Sequence, residues 1–308
     1  MVKFSILVPA YKRKFLKQCI DSILSQSYNN FELIIVNDAS PEHLDDIVEQ
    51  YTDKRLKYYV NKQNCGARNV VNNWNICLQH ATGEFVICMG DDDMLMPNCL
   101  LSYDQLICEN PDYDAFHMRV REIDSYDNLI QILPARPDHE SLYSAIIERI
   151  NGRKHYIGDY CYRLKKLQKN GGYYFLPYAW GADDIVSYVC ASPKGIVNCN
   201  KPLFCYRTSM YSISSSNNSI VGKLESLKLV ESWIMRFVNE QNPNSELEED
   251  ELRRLKNNLP RYFQNSSGFV LNDLFRENKL AILKWLFIPN GYGISKKTVL
   301  KSIFHLFN

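Results

Sequence analysis

The alternation of apolar strands with amphipathic helices over the first hundred residues most constrains what this chain can fold into. Four strand-like segments, apolar or β-rich throughout, lie at residues 4–8, 31–36, 56–60 and 85–89. Apolar residues recur at helical spacing over about 14–26 and 67–79, which predicts helices there. Repeated strand–helix units of this kind build a parallel sheet that is covered on both faces. We therefore predict an α/β fold with a mostly parallel sheet flanked by helices.

Composition removes several classes of protein from consideration. The chain has 308 residues, of which 45% are hydrophobic, and a formal net charge of +1; this charge argues against broad electrostatic capture of nucleic acid. No apolar run approaches the ~18 residues of a membrane-spanning helix. The chain opens directly on a predicted strand, so we expect no signal peptide. Its ten cysteines contain no Cys-x-x-Cys pair, and a reducing cytoplasm is the expected location.

Polar or turn-forming residues follow three of the predicted strands. These segments are Pro9-Ala10-Tyr11, Asn37-Asp38 and Asp91-Asp92-Asp93. In open parallel sheets, ligands bind beyond the carboxyl ends of the strands. The pattern favours a nucleotide site at this edge, although loops are polar in any case and that alone explains any one of the three.

The three consecutive aspartates directly follow a buried strand. Adjacent carboxylates repel one another and resist desolvation, so such a cluster suits a strand end where a cation or water meets the charge. Hard oxygen ligands of this kind bind Mg²⁺ or Mn²⁺, which commonly share their coordination with a phosphate-bearing substrate. The alternative is a solvated acidic turn before the helix expected near Pro97.

The rest of the chain is less regular. Residues 110–215 are rich in Tyr and Gly, with a helix predicted at 183–191 and two short strands near 196–199 and 203–207. From residue 221 onward the pattern is helical. Lysines alternate with Trp, Phe and Leu over 279–288 and 296–307, which is typical of a helix at a membrane surface and equally of a helix that packs on its own domain or on a dimer partner.

In order and spacing, these segments resemble family 2 glycosyltransferases of the GT-A fold, which transfer a sugar from a nucleotide-sugar with inversion at the anomeric carbon. The resemblance is carried by residues 5–11, 19–28, 32–40 and 81–85, followed by Asp91-Asp92-Asp93 and Pro97. It covers roughly 3–105 and extends weakly to about 215. It implies a GT-A-type, Rossmann-like catalytic domain at 1–215, with a nucleotide-binding half at about 1–105, an acceptor half at about 106–215, and a C-terminal helical region at 216–308.

The resemblance also implies roles on the donor side. The residues that would contact the nucleotide are Pro9, Ala10, Tyr11, Asp38, Arg68 and Asp91. The Tyr11 ring would lie beside the base, and Asp38 would accept a hydrogen bond from it. Asp92 would bind the Mn²⁺ or Mg²⁺ that bridges the diphosphate, and Asp93, also assigned to the metal site, would orient the loop or a water ligand.

On the acceptor side, Asp184 would be the general base that deprotonates the attacking hydroxyl. Asp183 accompanies it, and Trp180 would pack against the acceptor sugar; helix capping is the alternative role for the Asp183-Asp184 pair. Arg207 and Ser209 fall in the family's loop that closes over the phosphates. Three departures stand out: Gly90 replaces an acid that the family often carries, and Ser209 replaces a histidine. The Ala67-Arg68-Asn69 triplet also lies earlier than the family's, so Asn64 and Asn73 are the alternatives to Arg68.

The implied function is metal-dependent, inverting transfer from a UDP-sugar, with a dTDP-sugar as the second choice. The acceptor would be a saccharide or lipid-linked saccharide in cell-surface polysaccharide or oligosaccharide synthesis, at the inner face of the membrane if the terminal helices contact it. A rival, motivated by Gly90 and Ser209, is a protein that binds nucleotide-sugars without turnover. A nucleotidyltransferase is disfavoured because Lys12-Arg13-Lys14 follows the first strand without the glycines of a phosphate-binding loop.

Overall fold

The computed structural model describes residues 1–208, 220–287 and 294–304. Within these ranges the strands are β1 (Phe4–Ala10), β2 (Phe31–Asn37), β3 (Leu56–Val60), β4 (Phe85–Cys88), β5 (Met94–Leu95), β6 (Ala115–Ile123), β7 (Leu129–Ile132), β8 (His139–Glu140), β9 (Tyr160–Arg163) and β10 (Ile196–Arg207). The helices are α1 (Leu16–Leu24), α2 (Asp45–Val48), α3 (Val70–Gln79), α4 (Cys99–Glu109), α5 (Leu142–Ile150), α6 (Leu164–Lys169), α7 (Ala182–Ala191), α8 (Ile220–Glu240), α9 (Glu246–Glu277), α10 (Lys279–Phe287) and α11 (Lys296–Phe304).

All of the strands belong to one sheet. Its main path runs β3-β2-β1-β4-β9-β6-β10-β5, with β7 paired to β6 and β8 paired to β10. The β3-β2-β1-β4 block is parallel throughout, and β6 is parallel to β10, whereas β9 is antiparallel to both of its neighbours. The predicted α/β class, with a central sheet flanked by helices, is confirmed. The sheet is mixed: its parallel pairings are those of β3-β2-β1-β4 and of β6 with β10, whereas β5, β7, β8 and β9 pair antiparallel.

The central strands are buried on both faces, which is why they are apolar without alternation. Successive side chains of a strand point to opposite faces. Ile6 of β1 accordingly belongs to one core, with Ile20 of α1, whereas Leu7 belongs to the other, with Trp74 of α3. Burying one such aliphatic side chain contributes roughly 1.5–3 kcal/mol, so the two helices fix the sheet from opposite sides.

The C-terminal helices continue one of these two cores. The residues of α8 and α9 that join it include Leu224, Ile234, Leu255, Leu259 and Phe275. Helix α9 begins at Glu246, the first residue of an acidic segment at 246–251. Its N-cap Ser245 accepts a hydrogen bond from the backbone N–H of Glu248 at 3.2 Å. Helices α8 and α9 therefore pack on the chain's own domain. Among the described helices, none is both long and apolar enough to cross a membrane.

One predicted element differs in the structure. The two short strands expected at 196–199 and 203–207 form the single strand β10, which pairs with β6 along its length. The register shifts around Pro202, because proline lacks the N–H that a ladder needs. The same irregularity explains why the sequence pattern indicated two short strands where the structure has one.

Candidate active site

A cavity of about 1280 Å³ opens at the carboxyl ends of β1, β2 and β4. It brings together most of the residues that the sequence assigned to the donor, the metal and the acceptor. Those that line it are Pro9, Tyr11, Asp38, Asp91, Asp92, Asp93, Trp180, Asp183, Asp184 and Arg207. Residues more than 170 positions apart in the chain therefore share one site.

Among the described residues, two predicted site residues are not part of this lining. Ala10 is fully buried in the core beneath the site. Arg68 is exposed and pairs with Glu225 of α8, at 2.7 Å from guanidinium to carboxylate, whereas Asn64 and Asn73 nearby do line the cavity. Ser209 lies outside the described residues.

On the nucleotide side, Asp38 is buried and anchored by the loop that follows β3. Its Oδ1 accepts hydrogen bonds from the backbone N–H of Cys65 at 2.9 Å and from Asn61 Nδ2 at 2.8 Å. Tyr11, by contrast, is 42% exposed at the end of β1. The pair offers a fixed carboxylate and an accessible aromatic ring, side by side at the ends of adjacent strands.

Asp91 joins the acidic triplet to the end of β1. Its Oδ2 accepts hydrogen bonds from the backbone N–H groups of Tyr11 and Lys12, each at 2.7 Å. Burial, with Asp92 beside it, raises the pKa of Asp91 despite these donors and the Lys12 ammonium. Asp91 therefore fixes the loop geometry at the cost of burying a carboxylate.

Asp93 anchors the triplet to β10. It accepts hydrogen bonds from the backbone N–H of Arg207 at 3.0 Å and from that of Gly90 at 3.2 Å. Burial and the neighbouring Asp92 raise its pKa well above the ordinary value. A Cβ at Gly90 would lie 2.8 Å from Asp92 Oδ1 and 3.0 Å from Asp93 Oδ2. A side chain at position 90 would therefore require these two carboxylates to shift.

Asp92 carries the carboxylate of the triplet that is most accessible, and it faces Lys12. The Lys12 ammonium is 2.8 Å from Asp92 Oδ2 and 3.7 Å from Asp91 Oδ1; although burial opposes it, this attraction raises the pKa of Lys12. One ammonium faces three carboxylates, two of which resist ionisation. An oxygen cluster short of positive charge fits a divalent cation such as Mg²⁺ or Mn²⁺, with Asp92 as its accessible ligand.

Arg207 supports the triplet from below. Its side chain is fully buried; Nε donates to the backbone oxygen of Asp92 at 2.8 Å, and Nη1 is 2.6 Å from Asp127 Oδ1. The guanidinium carbon lies 4.2 Å from the centre of the Phe15 ring, a cation–π distance. Arg207 therefore holds the acidic loop in place, on the side away from solvent.

On the acceptor side, Asp184 lies in the first turn of α7 and is held by two basic residues. Arg149 Nε is 2.7 Å, and His155 Nε2 2.8 Å, from Asp184 Oδ1. Burial alone would raise the pKa of Asp184, but Arg149 and then His155 outweigh it and leave that pKa well below the ordinary value. The carboxylate is fully ionised near neutral pH.

The pKa of the neighbouring Asp183 is shifted in the opposite direction. Burial and the charge of Asp184 raise its pKa, and its Oδ2 lies 3.7 Å from His155 Nε2. Among the described residues, His155, Asp183 and Asp184 form the one group whose potential metal-ligand atoms all lie within 4.8 Å of one another. A cation at this group would have to compete with the Arg149 guanidinium for Asp184, just as one at the acidic triplet would have to compete with the Lys12 ammonium for Asp92.

The roof of the cavity comes from a strained turn and from the C-terminal helices. Tyr178 and Ala179 both have left-handed backbones, with φ of +57° and +56°, and such residues concentrate at functional sites. Gly222 of α8 makes room for the Tyr178 ring, because a Cβ there would lie 2.2 Å from Tyr178 Cε2. Helix α9 adds further lining: Tyr262, Phe263, Ser266, Phe269, Val270, Asp273 and Arg276.

Several lining residues were missed from the sequence. Lys12 was noted only for the absence of glycines around it, although a lysine just after the first strand is itself a signal for an anionic ligand. Arg149 closes the amphipathic helix α5 and His155 follows it in an irregular loop. Nothing in their local pattern separates them from ordinary surface residues.

Residues 5–167 match the model of glycosyl transferase family 2. The chain belongs to this family. A 103-residue segment is 35% identical to the GalNAc(5)-diNAcBac-PP-undecaprenol beta-1,3-glucosyltransferase of Campylobacter jejuni, covering 32% of this chain and 33% of that protein. A 99-residue segment is 33% identical to the poly(ribitol-phosphate) beta-N-acetylglucosaminyltransferase TarS of Staphylococcus aureus, covering 31% of this chain and 17% of TarS. The chain thus spans about a third or less of the length of these curated relatives.

Solved structures confirm the fold of this family 2 glycosyltransferase. It superposes on residues 1–349 of S. aureus TarS in complex with UDP-GlcNAc with a TM-score of 0.63 at 19% identity, covering 99% of this chain and 80% of that one. The mannosyltransferase PcManGT of Pyrobaculum calidifontis, in complex with GDP-Man and Mn²⁺, superposes with a TM-score of 0.58 at 13% identity, over 99% and 87% of the two chains. The sheet and flanking helices have the GT-A architecture, with the C-terminal helices added.

Proposed function

We propose that this glycosyltransferase is metal-dependent and inverting, and that it transfers a sugar from a UDP-sugar to a hydroxyl of a saccharide acceptor. The observation that carries the proposal is that one cavity is lined by both the acidic triplet and Asp184. A donor held at the first and an acceptor deprotonated at the second would meet inside it. The UDP-GlcNAc bound to TarS and the Mn²⁺ bound to PcManGT support the donor class and the metal.

The donor would bind at the ends of β1 and β2. Asp38 accepts hydrogen bonds in a buried position, as the imide N–H of uracil requires, and thymine of a dTDP-sugar would meet the same acceptor. The exposed Tyr11 ring offers an apolar face to the base. Pro9 completes this wall, with Asp91 toward the ribose.

Asp92, with Asp93 behind it, would hold the Mn²⁺ or Mg²⁺ ion. When bound, the cation stabilises the negative charge that develops on the departing nucleoside diphosphate. Lys12 brings a second positive charge to the same place, within reach of Asp92 and therefore of the diphosphate. Arg207 keeps the loop rigid, so that the carboxylates need not reorganise during transfer.

Asp184 would accept the proton of the acceptor hydroxyl as that oxygen attacks the anomeric carbon. Displacement with inversion needs one such base on the acceptor side. Arg149 and His155 fix the carboxylate in position and keep it ionised. Trp180 would pack against the acceptor sugar. The Lys223 ammonium lies 4.7 Å from the centre of the Trp180 ring.

The wider setting is part of the proposal. We place the protein in the cytoplasm, where it would build cell-surface polysaccharide or oligosaccharide, with 1–215 as the catalytic domain and 216–308 as its helical extension. Leu280, Leu300 and Phe304 are exposed on α10 and α11, beside Lys297 and Lys301. Such a surface suits contact with the inner face of a membrane that carries a lipid-linked acceptor, and a homodimer contact is the alternative use.

A second candidate function, binding of nucleotide-sugars without turnover, is favoured by one observation: the salt bridges of Asp184 lower the pKa of the only base proposed. The two functions can be distinguished by incubating the purified protein with Mn²⁺ and a panel of UDP-sugars. Release of UDP from at least one donor, abolished by Asp184→Asn, supports the transferase. UDP binding by calorimetry without release from any donor, with or without saccharide acceptors, supports the binder.

A further inference from the structure

A second cavity, of about 510 Å³, lies between α9 and α11 and adjoins the first. Eight of its ten lining residues carry polar side chains, although apolar atoms form most of the exposed wall: Gln264, Asn265, Gly268, Phe269, Asn272, Asp273, Arg276, Thr298, Lys301 and Ser302. Phe269, Asp273 and Arg276 also line the first cavity. The two spaces therefore meet at these three residues of α9, on the side of the site away from the nucleotide-binding strands.

The walls of this second cavity are tied together by hydrogen bonds between the two helices. Ser302 Oγ of α11 donates to the backbone oxygen of Gly268 at 3.0 Å, and Gln264 Nε2 of α9 donates to Thr298 Oγ1 at 3.3 Å. The cavity is thus a built feature of the α9–α11 contact.

Asn272 provides a sign that a ligand belongs in this space. Its side chain is 92% buried, and its Oδ1 has no hydrogen-bond partner among the described residues. Buried polar atoms are almost always paired, because an unpaired one carries the full cost of desolvation. Asn272 lines the cavity, so rotation of its amide towards a bound hydroxyl group would supply the missing donor.

The chemistry of the lining matches a saccharide. Gln264, Asn265 and Asn272 present amides, each of which both donates and accepts hydrogen bonds, as sugar hydroxyls do. At the junction of the two cavities, Phe269 is 75% exposed and offers a flat apolar surface of the kind on which the C–H face of a pyranose packs. Polar groups beside an aromatic surface are what a sugar site needs, because the polar groups orient the ligand and the ring packs against it.

We propose that this second cavity is an acceptor subsite that binds the sugar next to the one that receives the transferred unit. The preferred acceptor is then an oligosaccharide of at least two units, with its terminal hydroxyl near Asp184 and its preceding sugar on Phe269, Asn265 and Asn272. This inference rests on the proposed function and specifies its acceptor.

The test is binding of the full-length protein, saturated with UDP and Mn²⁺, to an array that displays single sugars and oligosaccharides. We expect oligosaccharides to bind and single sugars to bind at least tenfold more weakly. Asn272→Leu and, separately, Asn265→Ala should each weaken oligosaccharide binding about tenfold, since each leaves sugar hydroxyls unpaired. Asn265 is exposed, so its replacement keeps the test valid if the buried Asn272→Leu variant fails to fold.

Asn258→Ala is the matched control, because this exposed asparagine lies on the same helix and outside both cavities. Its oligosaccharide binding should equal that of the wild type. UDP binding of every variant, measured by calorimetry, reports separately on the donor site. If UDP binds but no oligosaccharide does, or if single sugars bind as well, or if Asn265→Ala has no effect, the subsite is refuted while the proposed function stands. Failure of UDP to bind refutes the proposed function itself.

Discussion

Arg149 Nε lies 2.7 Å from Oδ1 of Asp184, so the carboxylate proposed as the general base is already in a salt bridge. The contact sets two properties against each other. The salt bridge keeps Asp184 ionised and in position. However, each unit by which it lowers the pKa of Asp184 weakens proton binding by that carboxylate by about 1.4 kcal/mol. The arrangement makes sense if placement of the base matters more than its strength, and that can be measured.

Replacement of Arg149 by methionine should change the pH dependence of transfer. Arg149 is the strongest influence that lowers the pKa of Asp184, so its loss should move the acid limb of the kcat/KM profile upward by about 1–3 pH units. Arg149→Lys retains the charge and should leave the limb near its wild-type position. An acid limb that is the same in all three proteins would show that Asp184 does not titrate in the reaction.

Asp184→Asn should reduce transfer by about a hundredfold or more, as expected for loss of a general base, and should leave UDP affinity within a factor of two. Asp183→Asn is the matched control, because the raised pKa of Asp183 makes it the poorer candidate for an ionised base. We expect that variant to retain at least a tenth of the activity. Equal losses in the two variants would argue for a structural role of the pair in starting α7.

Lys12→Met should increase the affinity of the ligand-free protein for Mn²⁺ by roughly tenfold. The ammonium neutralises Asp92 at 2.8 Å, and its removal leaves the triplet more negative. Isothermal titration with Mn²⁺ alone measures this directly. Lys17→Met removes an exposed lysine that pairs with Asp21 and should have no effect; an unchanged Mn²⁺ affinity in Lys12→Met would place the cation elsewhere.

Stability should depend on pH through Asp159, which is fully buried behind the acceptor side. Burial, opposed by Arg136 and His155, raises the pKa of Asp159 to about 7. The folded state therefore retains a proton that the unfolded chain releases near pH 4, and this contribution to stability is lost as the pH rises from about 4 to 7. The shift corresponds to roughly 4 kcal/mol at most.

Asp159→Asn should remove that slope. Urea unfolding at pH 5 and pH 8 measures the free energy of unfolding of both proteins. We expect the wild type to lose more stability than the variant between these two values. His117 and His155 are common to both proteins, so the difference reports on residue 159; parallel behaviour would mean that the carboxyl titrates normally.

The nucleotide-binding half could be predicted because its signals are local. Strand β3, at the edge of the sheet, lies at 56–60, as its residue types predict. Strand β2 extends the predicted strand by one residue, and its burial on both faces explains its mainly apolar pattern. The partners of Asp184 could not be predicted, because Arg149 is 35 positions away and any helix end can carry an arginine. Only the folded chain brings the two together.

Gly90 illustrates a different limit. From the sequence it counted as the loss of an acidic ligand and as a reason to doubt catalysis. In the structure, the carboxylates of Asp92 and Asp93 approach it so closely that they would have to shift to accommodate a Cβ. Helix α9 shows a similar limit: the sequence predicts a helix there, but it does not reveal that Phe269 lines the active-site cavity. Contacts of this kind depend on how the chain folds, and they leave no periodic pattern in the sequence.

The central claim is that the acidic triplet holds a divalent cation against the diphosphate of the donor. The most direct measurement is the affinity for UDP by isothermal titration calorimetry, with Mn²⁺ and with EDTA, in the wild type and in Asp92→Asn. We expect Mn²⁺ to tighten UDP binding by at least tenfold in the wild type and to have no effect in the variant. Wild-type UDP binding that is equally tight with Mn²⁺ and with EDTA would contradict the account.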